Sequence, residues 1–376
     1  MGKSISFLLG AGFSFPMGYP MGNDIEIRLN DIINRGIQAF EENPYNPVYS
    51  KYPFILQKMI DFYKRSHNGT FNYEDFYEYI PYCCKDKTIG NALNYYRYGE
   101  PKPIESEYLN YVDKYQEYIS KLIKDANGIQ FYEEHDTLQL NIYGSFIKEL
   151  KKFLDEDFEV NIHTLNHDLL FESFKNSNLI GDKICDGFEY NLKKYIGYND
   201  RNEIVGLPYF NEKYDKQIRL YKLHGSIDQY KYYKGDFYME YDNHIKMEQS
   251  IDKGKELHIV ENGEIIDTFR FVELQPDFLT GKESKEKNYH RPFYNKLFSL
   301  FENNMEHSDC LFIVGYSGND NGINNRLLKY YSGNNKPCFI YDPKPCVELC
   351  DLAMKINAEV IKLPVENIVF PTNLNL

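Results

Sequence analysis

At 376 residues, 42% of them apolar, the chain can bury a sizeable core, either as one large domain with insertions or as two domains, and it is too apolar to be disordered throughout. Its 56 acidic against 43 basic residues leave a net charge of −13, which argues against a general binder of nucleic-acid phosphates, whose affinity rests on clustered Lys and Arg. No run approaches the roughly 20 apolar residues of a membrane span, and the 7 scattered cysteines lack the spacing of a disulfide scaffold.

In chain order, the first predicted strand covers 4–9 and carries Ile5, Phe7 and Leu8. Lys3 ahead of this stretch mimics an export signal, but glycine and serine interrupt it and no cleavage site follows, so a cytoplasmic chain with reduced thiols is expected. The strand runs into Gly10-Ala11-Gly12-Phe13-Ser14, the pattern of a strand turning into a nucleotide-phosphate loop. Glycines there suit a tight turn and let a pyrophosphate approach the main chain, while a following helix points free N–H groups at the anion. Phe15 stands where the dinucleotide fingerprint wants a third glycine, so a hydride-transfer site is poorly matched.

A helix should begin near Asn23 or Asp24, either of which suits its cap. Across 36–150, Phe54, Ile55, Met59, Ile60 and Tyr63, then Phe146, Ile147, Leu150 and Phe153, recur at helical spacing, which predicts a helical insertion broken at Pro44, Pro47, Pro53, Pro81, Pro101 and Pro103. Val160, Ile162 and Thr164 form a short strand, followed by a helix with Leu169, Leu170, Phe171 and Phe174; another strand covers 218–223. A β-rich insertion is predicted over 227–290, with Asn262-Gly263 turning one strand at 257–260 into another at 265–269. Buried strands at 310–314, 338–341 and 360–363 then alternate with helices at 322–331 and 346–356, which implies a parallel sheet with helices on both faces.

Three further motifs follow strand-like runs: Thr164-Leu165-Asn166-His167-Asp168, Leu223-His224-Gly225-Ser226, and Gly315-Tyr316-Ser317-Gly318-Asn319-Asp320. In an open parallel sheet, ligands bind beyond the carboxyl ends of the strands, where all of these begin. Asn166 and Asp168 share a face if the segment stays extended, and an amide with a carboxylate suits a ribose, although both residue types also cap helices. Gly225 leaves room for a ligand beside the His224 imidazole, whose ordinary pKa near 6.5 suits proton transfer. His167 occupies a variable position of its motif, and its side chain is expected to point away from Asn166. Asn319 and Asp320 read as the cap of the next helix, and Asp342 either accepts from ribose hydroxyls or makes an Asp-Pro turn.

The order Gly-Ala-Gly-x-Ser, Thr-x-Asn-x-Asp, His-Gly and Gly-x-Ser resembles the SIR2 (sirtuin) family, which splits NAD between nicotinamide and ribose. The resemblance spans the nucleotide-binding framework, about half of the chain, and implies a Rossmann-like α/β fold in a single domain, 1–376, carrying both insertions. It implies that Asn166 positions the nicotinamide ribose or a water, that His224 is the general base, and that Thr164 and Asp168 lie at the ribose or carboxamide. It also implies that Gly10, Ala11, Gly12, Phe13 and Ser14, with Gly315 and Ser317, hold the phosphates and the adenosine side, where Asp342 is the further candidate. Protein deacylases of the family carry a zinc ribbon of paired Cys-x-x-Cys motifs, but 227–309 holds no cysteine, and the Cys346/Cys350 pair reads as helix packing; no metal is expected. Without that ribbon the pattern resembles the zinc-free SIR2-like NADases of bacterial anti-phage defence, which implies NAD as substrate and control through self-assembly or a regulatory protein such as a defence-system ATPase or phage sensor, with no nucleic acid or membrane partner. A deacylase, an ADP-ribosyltransferase, a non-catalytic NAD or ADP-ribose sensor and a purely structural module are the alternatives.

Overall fold

The computed structural model describes residues 3–43, 52–85, 108–124, 136–190, 194–234, 240–247, 258–266, 270–272, 275–281 and 283–371. Strands are numbered in chain order: β1 Ser4–Leu9, β2 Glu159–Thr164, β3 Ile184–Cys185, β4 Gly187–Glu189, β5 Tyr195–Tyr198, β6 Ile204–Gly206, β7 Tyr209–Lys213, β8 Ile218–Lys222, β9 Gln229–Lys234, β10 Glu240–Lys246, β11 His258–Glu261, β12 Glu264–Ile266, β13 Arg270–Val272, β14 Cys310–Val314, β15 Cys338–Tyr341 and β16 Glu359–Ile361. Four of the six breaking prolines, Pro44, Pro47, Pro101 and Pro103, and the strand residues 267–269, lie outside the described residues.

The chain divides into two compact units. The first joins Met1–Tyr19, Asn127–Phe278 and Tyr289–Leu376, and is built on a seven-stranded sheet in the order β16-β15-β14-β1-β2-β8-β3. Every neighbouring pair in it is parallel. Strand β14 is a continuous, fully buried apolar run because both faces of the sheet are covered. On one face, Phe7 of β1 packs against Phe146 of the helix Thr137–Asp155, against Phe312 of β14 and against Phe370. On the other, Ser6 Oγ lies 2.6 Å from Ser308 Oγ, and the helix Pro292–His307 sets Phe301 edge-on to His163 of β2.

The rest of this unit is antiparallel: a five-stranded sheet, β13-β9-β10-β7-β4, and a four-stranded one, β12-β11-β5-β6. Tyr195 and Ile259 of the smaller sheet share a core with Tyr230, Tyr232 and Ile245 of the larger. The Asn262-Gly263 turn is as predicted, with φ of 52° and 84° between β11 and β12. The β-rich region begins earlier than the sequence predicts, because β4 to β7, within 187–213, pair into the two sheets.

The second unit comprises Pro20–Ala126 and Leu279–Asn288. Its helices are Gly22–Glu42, Tyr52–Ser66, Tyr73–Lys85, Tyr108–Lys124 and Glu283–Asn288, with an aromatic core that includes Tyr63, Phe76 and Tyr115. The first of them starts at Gly22, with Met21 as its cap residue and the Asp24 carboxylate accepting the Met21 N–H, so Asp24 serves the cap from inside the helix. No helix among the described residues is long and apolar enough to cross a membrane.

His163 is fully buried and its pKa is pushed down to about 3 by desolvation. The neutral ring is therefore the folded form, and its contribution to stability is complete above pH 6.5 and lost as pH falls toward 3, where only the unfolded chain binds the proton. Over that window the unfolding free energy should lose about 1.4 kcal/mol per pH unit from this residue. Urea unfolding of wild type and His163→Gln between pH 7 and 4 measures it; parallel pH dependences would contradict the assignment.

Candidate active site

Because β1, β2, β8, β14 and β15 run parallel, their carboxyl ends share one edge, and that edge carries Gly10, Asn166, His224, Gly315 and Asp342. From β1 the chain crosses to β2 on one side, while β14 and β15 lie on the other. The crevice between the ends of β1 and β14 is thus the topological switch point of the sheet.

The loops at this crevice touch through glycines. Gly10 N–H donates to Val314 O, and Gly12 N–H donates to Gly315 O at 2.9 Å. A Cβ on Gly10 would sit 2.5 Å from Gly315 O, one on Gly12 would lie 2.8 Å from Gly315 Cα, and one on Gly315, at φ 63°, would lie 2.3 Å from Phe13 N. These glycines are required by the close approach of the two loops. Of the N–H groups at the head of the following helix, those of Gly12 and Phe13 are spent inside the protein, the latter on Gly10 O. The helix that follows is a single turn, Ala11–Ser14, continued by a 3-10 turn, Phe15–Met17. Ala11 is exposed at its head, whereas the Phe13 ring belongs to the core against Tyr143 and Phe146, so it cannot line a ligand site.

Asn166 ties the second loop to the first. Its Nδ2 donates to Gly10 O and to Ser14 Oγ, each at 2.9 Å, and its own N–H donates to the hydroxyl of the buried Thr164 at 3.1 Å. Asn166 is half-buried and Ser14 buried, so a side-chain amide and a hydroxyl are fixed together at the crevice. Asp168 spends one oxygen locally: its Oδ1 accepts the Leu170 N–H at 3.0 Å, two residues on, where Leu169 is the cap residue of the short helix Leu170–Ser173, and its carbonyl accepts from the ammonium of Lys222. Asp342 also spends one oxygen locally, accepting the Lys344 N–H at 2.7 Å.

His224 is buried at the end of β8. The room that Gly225 was expected to leave for a ligand is occupied: a Cβ there, at φ 78°, would lie 2.4 Å from Asp277 O and 2.7 Å from Tyr294 Oη. Phe278 forms a bridge with Gly225 and packs on the His167 ring, whose centroid is 6.3 Å from that of His224. His167 thus lies between Phe278 and the neighbourhood of His224. Asp277 anchors this segment; burial would raise its pKa, but the hydrogen bond from His244 and the nearby Lys231 hold it well below the usual carboxylate range.

The third loop holds Ser317, which is exposed and accepts from Asn319 Nδ2, while the Cys346 thiol donates to Ser317 O at 3.0 Å. Asp320 caps the helix Asn321–Tyr331, as expected, through Oδ1 to the Ile323 N–H at 3.0 Å. Its other oxygen lies 3.5 Å from His224 Nε2. The sequence carries no signal for that second contact, because the two residues are joined only by the pairing of distant strands. No group of three or more His, Cys, Asp or Glu side chains among the described residues is placed to hold a metal ion.

No protein-family model matches the chain, and no curated protein matches it. Solved structures similar to it include a Sir2 homologue in complex with ADP-ribose, at TM-score 0.42 and 9% identity over 97% of this chain and 88% of that one. A Sir2 homologue in complex with NAD gives 0.41 and 9% over 97% and 86%. A Sir2 protein bound to a propionylated peptide gives 0.38 and 10% over 97% and 90%.

Proposed function

We propose that this protein is a SIR2-like NAD hydrolase that releases nicotinamide and ADP-ribose, of the kind that depletes NAD in anti-phage defence. The observation that supports it is the meeting of Asn166, Ser14 and Gly10 at the switch point of a parallel sheet, on the same strand edge as His224. When the nicotinamide bond breaks, its electron pair goes to the ring nitrogen, and the ribose is left as an oxocarbenium-like cation. Water adds to C1′ and gives its proton to His224, so NAD and water become nicotinamide, ADP-ribose and one proton. Asn166, held by two acceptors, orients the ribose or the water, and no step calls for a metal.

Pure protein incubated with NAD should release nicotinamide at the same rate with and without chelator, as followed by chromatography. No release, alone or with candidate partners, would sink the reading, and one tightly held zinc per chain would favour a deacylase. The segments 36–150 and 227–290 are proposed to act as insertions that control the site through self-assembly or a protein partner. Sedimentation of the same samples tests this, and a strict monomer with full turnover in the absence of any partner would contradict it.

A further inference from the structure

We infer that Asp320 is the residue that makes His224 an effective base, an inference that rests on the hydrolase reading. Its carboxylate faces two ways. Oδ1 is pinned by the Ile323 N–H at 3.0 Å, and Oδ2 stands 3.5 Å from His224 Nε2, with the imidazole buried. The residue is also held by its backbone, because Tyr316 Oη accepts the Asp320 N–H at 3.2 Å while donating to Asn324 Oδ1 at 2.8 Å. The space beyond is filled: a Cβ on Gly322 would lie 2.8 Å from Tyr289 Cε2, and the Tyr289 ring lies nearly parallel to that of His224.

The 3.5 Å separation is long for a hydrogen bond to a neutral ring but suits an ion pair with an imidazolium. Such a contact is worth little until His224 takes a proton and much once it has, and this differential is what lowers a barrier. Among the described residues, the other groups near the ring do not supply it. His167 lies 6.3 Å away and Tyr289 6.4 Å away, the guanidinium of Arg326 sits 5.3 Å from the Tyr289 ring, and Tyr294 Oη lies against Gly225. Neutral rings do not stabilise the charge as a carboxylate does, and a protonated His167 or Arg326 opposes it. Asp320 is thus a positioning residue that acts through His224.

Asparagine caps a helix as well as aspartate does, so Asp320→Asn removes the charge and keeps the cap. The experiment measures nicotinamide release, its pH profile and the melting temperature for wild type, Asp320→Asn and Asp320→Ala. In the Asn variant kcat should fall about tenfold or more, with KM for NAD and the melting temperature nearly unchanged. The acidic limb of the profile should move to lower pH by about one unit or more, because the charge that favours the imidazolium is gone. The Ala variant should show the same kinetic loss and melt about 1–3 °C lower, the shift that loss of one helix cap gives in a chain of this length. Wild-type kcat and an unmoved acidic limb in Asp320→Asn would overturn the proposal. If wild type itself releases no nicotinamide, the hydrolase reading fails and the pairing is judged by NMR. The His224 imidazole resonance, assigned by its loss in His224→Gln, should titrate at lower pH in Asp320→Asn, and an unmoved midpoint overturns the pairing.

Discussion

Asn166→Ala should lower nicotinamide release from NAD by about a hundredfold or more while leaving a folded protein, the loss expected when a positioned polar group at a reacting centre is removed. The amide makes two hydrogen bonds, to Gly10 O and Ser14 Oγ, and is half-buried, so its removal should cost stability by about 1–3 kcal/mol. A circular-dichroism melt separates this cost from the loss of turnover. Asn166→Asp keeps the size but not the donor to Gly10 O, and it should lose turnover as well. Wild-type rates in either folded variant would remove Asn166 from the site.

The second large effect is on folding. Gly315→Ala should destabilise the protein by more than about 4 kcal/mol, because the added carbon would sit 2.3 Å from Phe13 N and 2.5 Å from Gly12 C, at a backbone φ of 63°. Neither the β1 loop nor the β14 loop can retreat without breaking the Gly12 to Gly315 hydrogen bond. Gly333→Ala is the control. That glycine is also left-handed, at φ 74°, but an added carbon would meet nothing within 4 Å, so only the backbone penalty of about 1 kcal/mol remains. Denaturant unfolding of both variants gives the comparison, and equal costs would show that loop contact does not explain the glycine at 315.

The strands Cys310–Val314 and Cys338–Tyr341 fall where the sequence places them, because a short apolar run bounded by turn residues is local information that a parallel sheet buried on both faces then uses. The same holds for the Asn262-Gly263 turn and for the capping side of Asp320, each decided within four residues of chain. Strands β4 to β7 were not legible, being at most five residues long and defined by their partners more than by their own alternation. The candidate site divides along the same line. Its residue types and their order at strand ends were determined by the sequence alone. Only the tertiary structure decided that Gly10, Gly12 and Gly315 are glycines for one another's sake, that Phe13 belongs to the core, and that Asp320 faces His224. Each of these rests on contacts between segments far apart in the chain, where close approach and burial, not local spacing, set what a residue can do.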